Sequence, residues 1–319
     1  MKKIMIVLGS LFLVSILAIG GYGFYLYKSV QTTVNSSMHT ELNREKPDLR
    51  EFVVDMDARE PVSFLLLGVD AEESTSGRTD TMMVVTVNPD DESMRMVSIP
   101  RDTRMDIPGL GKQDKVNHAY AFGGPDMAIA AVENYLDIPI DYFLTVNMDG
   151  FQEMVDAVGG VTVQNELVFS QNGHEFNEGQ LFLDGDQALA YARMRKEDPR
   201  GDLGRNERQR QIVNGMIKEG AQLSSITRTQ SILDALGNNI MTNLTFDNMV
   251  SLQQNYIRAT HNQETLELTG TGDMIDGVWY LIVPEEERLQ LSGELRTHLG
   301  LESNETVALT EEDHEDEES

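Results

Sequence analysis

Between Arg193 and Arg210 the chain carries seven basic residues: Arg193, Arg195, Lys196, Arg200, Arg205, Arg208 and Arg210. Six are arginines, whose planar guanidinium suits two-point contact with phosphate oxygens. Arg193 and Arg195 are two residues apart and point the same way from an extended segment. Arg205 and Gln209 are four apart and share one face of a helix. Such a run forms either a solvated charged face or a convergent anion site. Two shorter constellations join it. Gly77-Arg78-Thr79-Asp80-Thr81 precedes an apolar run, and Ser98-Ile99-Pro100-Arg101-Asp102-Thr103 follows another. Asp70 closes Leu67-Gly68-Val69-Asp70. Each is compatible with plain turn chemistry, because Asp favours turns. Together, carboxylates and arginines suit a pyrophosphate. Mg²⁺ or Mn²⁺ takes oxygen ligands and bridges carboxylates to phosphates, and arginines stabilise charge in phosphoryl transfer. The chain has no P-loop lysine motif, kinase catalytic loop or Gly-x-Ser-x-Gly elbow.

The elements that must position these groups read as strands and helices in alternation. Val62 to Gly68, Thr81 to Val87 and Met94 to Ile99 are short apolar runs expected as strands. Asn88-Pro89-Asp90-Asp91 between the last two predicts a hairpin. That hairpin would bring Asp70, Asp80 and Asp102 to the same sheet edge as Arg78 and Arg101. Helices are expected over 125–136, 150–158, 186–191 and 206–218, and strands at Tyr142 to Val146 and Val161 to Val163. Ile212, Val213, Met216 and Ile217 are expected to face the core. Residues 227–299 read as amphipathic helix with one strand near Trp279. Strands interleaved with helices imply an α/β sandwich with a mixed sheet.

The chain has 319 residues, with 25 Lys+Arg against 53 Asp+Glu, a formal net charge of −28. That excess argues against nucleic acid as a partner. The absence of cysteine removes thiolate metal sites, a cysteine nucleophile and a disulfide scaffold. Met1-Lys2-Lys3 precedes an uncharged run from Ile4 to Tyr27. As a helix it would span about 36 Å, enough for a bilayer core of roughly 30 Å. Tyr22, Tyr25 and Tyr27 at its far end suit the membrane interface, and the lysines favour a cytoplasmic N-terminus. The expected organisation is a cytoplasmic 1–3, an anchor over 4–27, an extracellular stalk over 28–60, a catalytic domain over 61–300 and an acidic, disordered tail over 301–319.

Five motifs in order carry a resemblance: Gly77-Arg78-Thr79-Asp80-Thr81-Met82; Ser98-Ile99-Pro100-Arg101-Asp102-Thr103; Lys115-Val116-Asn117-His118-Ala119-Tyr120; Asp184 to Arg195; and Asp202-Leu203-Gly204-Arg205-Asn206-Glu207-Arg208-Gln209. With the N-terminal anchor they resemble the LytR-CpsA-Psr family of bacterial cell-envelope proteins. The resemblance implies a three-layer α/β/α sandwich with an apolar groove for a polyprenyl chain. It implies a phosphotransferase outside the membrane. Such an enzyme moves an anionic glycopolymer, wall teichoic acid or capsular polysaccharide, from undecaprenyl-pyrophosphate to peptidoglycan. Carried over by motif, Asp70 and Asp80 would hold Mg²⁺ or Mn²⁺. Arg101, Arg193, Arg195, Arg205 and Gln209 would contact the pyrophosphate, with Arg78 nearby. Asp80, Arg101, Arg193 and Arg195 are the expected catalytic group. Hydrolysis of the lipid pyrophosphate and a non-enzymatic polymer-binding or regulatory role are the alternatives.

Overall fold

Side-chain alternation along three strands sets up the centre of the molecule. A computed structural model describes residues 28–29, 31–71, 75–221 and 239–301. The uncharged run at 4–27 and the acidic tail from 302 lie outside the described residues. Among the described residues no helix is long and apolar enough to cross a membrane. In β1 (Val62–Val69), Leu65, Leu67 and Val69 enter one core while Val62 enters another. In β2 (Thr79–Asn88), Met82 and Val84 face the first core, and Met83, Val85 and Val87 the second. β3 (Ser93–Ser98) divides in the same way. Strands buried on both faces read as continuous apolar runs, which is why these three were legible.

The β2–β3 turn is held by Asn88, whose Oδ1 accepts from the backbone N–H groups of Asp90 and Asp91 at 3.0 and 3.1 Å. β4 (Arg104–Ile107) and β5 (Lys112–Lys115) form a small hairpin leading into α1 (Val116–Leu136). That helix starts earlier than its sequence suggests and kinks at Gly123-Gly124, where Gly124 has φ +60°. β6 (Tyr142–Val146) and α2 (Met148–Ala157) follow. β7 (Val161–Asn165), β8 (Phe169–Gln171), β9 (His174–Phe176) and β10 (Gly179–Leu183) then form two side hairpins, β7 with β10 and β8 with β9. α3 (Gly185–Arg193), the loop after it and α4 (Asp202–Gly220) carry the arginine run. β11 (Ile240–Thr242), α5 (Phe246–Asn255), β12 (Gln263–Glu267), β13 (Thr271–Ile275), β14 (Val278–Ile282) and α6 (Glu285–His298) complete the described chain.

The central sheet has the order β11-β6-β1-β2-β3-β12. β1–β6 and β3–β12 are parallel and the other pairs antiparallel. The fold is thus α/β with a mixed central sheet. α1 and α6 cover one face through residues such as Ile129, Val132, Leu291 and Leu295. On the other face lie Val213 and Ile217 of α4 with Met249 and Leu252 of α5. Ile212 and Met216 pack instead with the side hairpins and α3.

Three expectations differ from the structure. The segment expected as a free stalk is part of the domain from Val34 onward. Val34 and Met38 are buried against Ile240, and Val54 and Met56 lie in the second core. Arg44 pairs with Glu133 at 2.5 Å and Arg50 with Asp141 at 2.7 Å. Its polar composition concealed this because much of its attachment is by ion pairs. β7 lies outside the central sheet. β11 and β12 do belong to it, where the sequence suggests helix; each is a short edge strand without a continuous apolar run.

Candidate functional site

The sheet delivers its functional side chains at one end. β1 finishes at Val69, so Asp70 emerges there, and Arg78 and Asp80 flank the start of β2 directly alongside. Gly68 makes that approach possible: a Cβ on it would sit 2.9 Å from Thr81 Cβ. β3 finishes at Ser98 opposite Met83, and the Pro100–Thr103 turn carries Arg101 to the same end. The hairpin expectation therefore holds. Asp70, Arg78, Asp80, Arg101, Asp102, Lys115, Asn117 and His118 line a cavity of about 270 Å³.

A second cavity, about 650 Å³, is lined by Arg193, Arg195, Lys196 and Arg205 together with Gln171, Asp198, Pro199 and Gly201. The α3 capping box on Asp184 and Gln187 fixes the helix that ends at Arg193. Arg193 Nη1 donates to Met148 Sδ at 3.3 Å, and its Nη2 lies 3.9 Å from Asp70 Oδ1. α4 can begin against the Asp198 loop because residue 204 is glycine; a Cβ there would fall 1.8 Å from Asp198 Oδ2.

Asp202 joins the two cavities. Its carboxylate meets Arg195 Nε at 2.5 Å, Arg205 Nη2 at 3.0 Å and Arg101 Nε at 3.7 Å. Arg101 Nη1 donates in turn to Asp80 Oδ1 at 2.7 Å. Burial pushes the Arg205 guanidinium below its ordinary pKa; Arg101 and Arg195 push the same way, while Asp202 and Asp80 oppose them. Burial would also lower Arg101, but the hydrogen bond and charge of Asp80, with Asp202 and Asp102, hold it above its usual value. Lys115 Nζ donates to Asp102 Oδ1 at 2.6 Å. Asp114 is held at about 2: burial would raise it, but bonds from the Lys115 backbone N–H, His118 and Lys112 prevail.

The seven bases of the run thus divide by role. Arg193, Arg195, Lys196 and Arg205 line the second cavity. Arg208 is buried, with Nη1 on Asp198 and Nη2 on the Met194 carbonyl, both at 2.6 Å. Arg210 is buried against Glu207 and Ser98, and Arg200 pairs with Asp198. Gln209 lies half-buried on α4, one turn beyond Arg205, and is not among the residues lining either cavity. The sequence motifs leave Asp202 without a role. Its signal was the spacing to Arg205, which places the two on one helix face.

Asp70 and Asp80 supply hard oxygen donors to one cavity, and their side chains are 50% and 32% exposed. Among the described residues no group of three or more metal-ligating side chains occurs. Two carboxylates fit an ion completed by phosphate oxygens and water, the usual manner of Mg²⁺.

A family model described as the LytR_cpsA_psr family matches residues 24–297. A relative from Halalkalibacterium halodurans, named polyisoprenyl-teichoic acid–peptidoglycan teichoic acid transferase TagU, is 54% identical over 304 residues, 94% of this chain and 100% of its own length. A protein of the same name from Bacillus anthracis is 49% identical over 302 residues, 93% of this chain and 98% of its own. Among solved structures, Bacillus subtilis TagU is 45% identical with a TM-score of 0.62, covering 75% of this chain and 97% of that one. TagT bound to LIIa-WTA is 33% identical with a TM-score of 0.73, covering 82% of this chain and 100% of that one.

Proposed function

This chain belongs to the LytR-CpsA-Psr family, and from that premise we propose that it is a phosphotransferase moving teichoic acid from a polyprenyl-pyrophosphate carrier to peptidoglycan. The observation that carries the reading is the convergence of Arg101, Arg195 and Arg205 on Asp202, between two cavities that also take in Asp70, Asp80 and Arg193.

The pyrophosphate lies between the Asp70–Asp80 side and the arginines. Arg101, Arg193, Arg195 and Arg205 hold its oxygens, Arg78 stands at the rim, and Gln209 lies one turn beyond Arg205 on the same helix. A peptidoglycan hydroxyl attacks the glycan-proximal phosphorus. A new phosphorus–oxygen bond forms, the bond to the bridging oxygen breaks, and polyprenyl phosphate leaves with that oxygen while the hydroxyl's proton passes to solvent. The guanidinium groups gather the charge that builds on the transferring phosphoryl group. Mg²⁺ or Mn²⁺ held by Asp70 and Asp80 would neutralise further phosphate charge. Holding donor and acceptor in register supplies the rest of the acceleration. On this reading residues 4–27 would serve as a single membrane span with the N-terminus cytoplasmic and the domain outside, which would keep the site near its lipid donor.

The test is purified protein with a lipid-pyrophosphate-linked teichoic acid precursor, a peptidoglycan oligomer and Mg²⁺ or Mn²⁺. A phosphodiester-linked conjugate is expected. Release of lipid phosphate at the same rate without acceptor would point to hydrolysis, and no turnover beside an active control would defeat the transferase reading.

A further inference from the structure

The chain joins its folded domain at the same end of the sheet that carries the site. β6 runs parallel to β1, with Val146 opposite Gly68, two residues before Asp70. β11 sets Ile240 against Val146. Val34 and Met38 are buried on Ile240, with Val146 and Phe246 packed beside them. Asn35 Oδ1 accepts from the Phe246 backbone at 3.2 Å, and Thr40 N–H donates to Thr242 at 2.8 Å. From there the segment runs to the opposite end, where Arg50 meets Asp141 and the Pro61 carbonyl. The two ends are separated by the length of β1, about 25 Å at ~3.3 Å per residue. Between Tyr27 and Val34 the chain can extend at most about 25 Å.

The chemistry of the two ends differs. At the catalytic end Phe122 is 60% exposed and packs edge-on to His118 of the first cavity, 6.0 Å between ring centres. Leu203, beside Asp202, is 61% exposed. Arg78, Arg193 and Arg195 present cations there. At the far end Leu49, Phe52 and Val53 are 40%, 74% and 59% exposed, but Glu51, Asp55 and Asp57 are exposed beside them in sequence and no exposed arginine cluster lies among them as it does at the catalytic end. Exposed aromatic and aliphatic tips among arginines suit a lipid interface with anionic headgroups, and a carboxylate-rich rim does not.

We propose that the catalytic end of the domain is a membrane-docking face, seated on an anionic lipid surface through Phe122, Leu203 and the rim arginines. The proposal rests on the reading of residues 4–27 as a span. The docked segment from Val34 to Val54 fixes where the chain enters the domain, so a short link to the anchor would keep the two cavities towards the bilayer. A lipid-linked pyrophosphate would then reach Arg101 and Arg193 without leaving the membrane surface.

The chain contains no cysteine, so single reporters can be introduced without background. Full-length Phe122→Cys and Phe52→Cys variants, each carrying a polarity-sensitive fluorophore, are reconstituted into vesicles of phosphatidylglycerol and phosphatidylcholine containing a headgroup-region spin-labelled lipid. Both positions are exposed, so both variants retain the fold. Quenching at position 122 is expected to exceed that at 52 at least threefold, and to fall when phosphatidylglycerol is omitted. Equal quenching, or stronger quenching at 52, overturns the docking face. Retention of the full chain after an alkaline wash scores the span separately. A retained chain with the reversed pattern refutes the docking face alone, whereas a washed-off chain refutes the span and the docking face with it.

Discussion

Replacing Asp202 with asparagine keeps the side chain's shape and removes its charge from between three guanidinium groups. Asp202 lies within 2.5 to 3.7 Å of Arg195, Arg205 and Arg101, in a position a substrate anion would share. Two effects of opposite sign follow. A carboxylate about 6 Å from a phosphate repels each unit of phosphate charge by roughly 0.7 to 2.8 kcal/mol for effective dielectrics between ~80 and ~20. Removing it should tighten binding of inorganic pyrophosphate about tenfold. The arginines meanwhile lose their common partner and repel one another. A misplacement of about 1 Å can cost ~100-fold in rate, so turnover should fall between ten- and a hundredfold. Asp202 is 26% exposed and Arg195 52% exposed, so the loss of fold stability should stay near 1–2 kcal/mol, below the roughly 3–5 for a fully buried pair. Titration calorimetry with pyrophosphate, single-turnover transfer and a urea melt measure the three quantities. Weaker or unchanged pyrophosphate binding with normal turnover would refute the idea that Asp202 both orders the arginines and competes with the substrate. Asp202→Glu should restore part of the rate.

Arg101→Ala removes a guanidinium that reaches Asp80, Asp102 and Asp202 together; it should lower the rate of transfer by at least ~2 kcal/mol of transition-state stabilisation, and near-normal transfer kinetics would take Arg101 out of the site. Arg50→Ala removes the ion-pair partner of the buried Asp141 and leaves the Ser63 N–H and hydroxyl to donate to it, so chemical denaturation should show a loss of roughly 3 kcal/mol, whereas a loose stalk would show none. His298 is 3% exposed and hydrogen-bonds through its ring to Thr86 and Ser93. Burial first, then the charge of Arg95, pushes it down from 6.5 to about 4, against Asp91 and Glu264. Below pH 6.5 the unfolded chain takes up a proton there that the folded chain refuses, so this contribution is whole above 6.5 and is lost as the pH falls towards 4. It amounts to about 3 kcal/mol, and a His298→Gln variant should flatten that limb of the stability profile in urea melts between pH 4 and 7.

The parts of this site that were legible in the sequence are those fixed by local chemistry. Asn88-Pro89-Asp90-Asp91 announced a hairpin, and a hairpin of known register brings Asp80 and Arg101 to one end without further information. The arginine run announced an anion site but not its membership. Arg205 faces a cavity and Arg208, three residues on, is buried on Asp198; the difference depends on a loop that only tertiary packing folds back over α4. β12 was hidden because an edge strand pairs through its backbone, and Gln263 to Glu267 carries almost no apolar signature. The docking of Arg44 and Arg50 was hidden for a related reason. Polar residues suggest solvent, yet here they reach buried carboxylates far along the chain.

The overall charge of −28 and a site built for anions are compatible because they act over different distances. At physiological salt the Debye length is about 8 Å, so a phosphate held in either cavity responds chiefly to Arg101, Arg193, Arg195 and Arg205 and not to the distant acidic surface. The same screening leaves a short-range repulsion wherever an anionic polymer lies against the carboxylate-rich exterior. On the proposed function, a polymer of repeating phosphates would therefore be bound at one point, its pyrophosphate linkage, and kept off the rest of the domain. Asp202 extends this logic inside the site. By occupying the arginines it limits how tightly any single anion is held, which favours departure of polyprenyl phosphate, itself an anion, once the transfer is complete. An arginine cluster without that internal competitor would bind donor and product tightly alike, and uniform tight binding does not accelerate the chemical step.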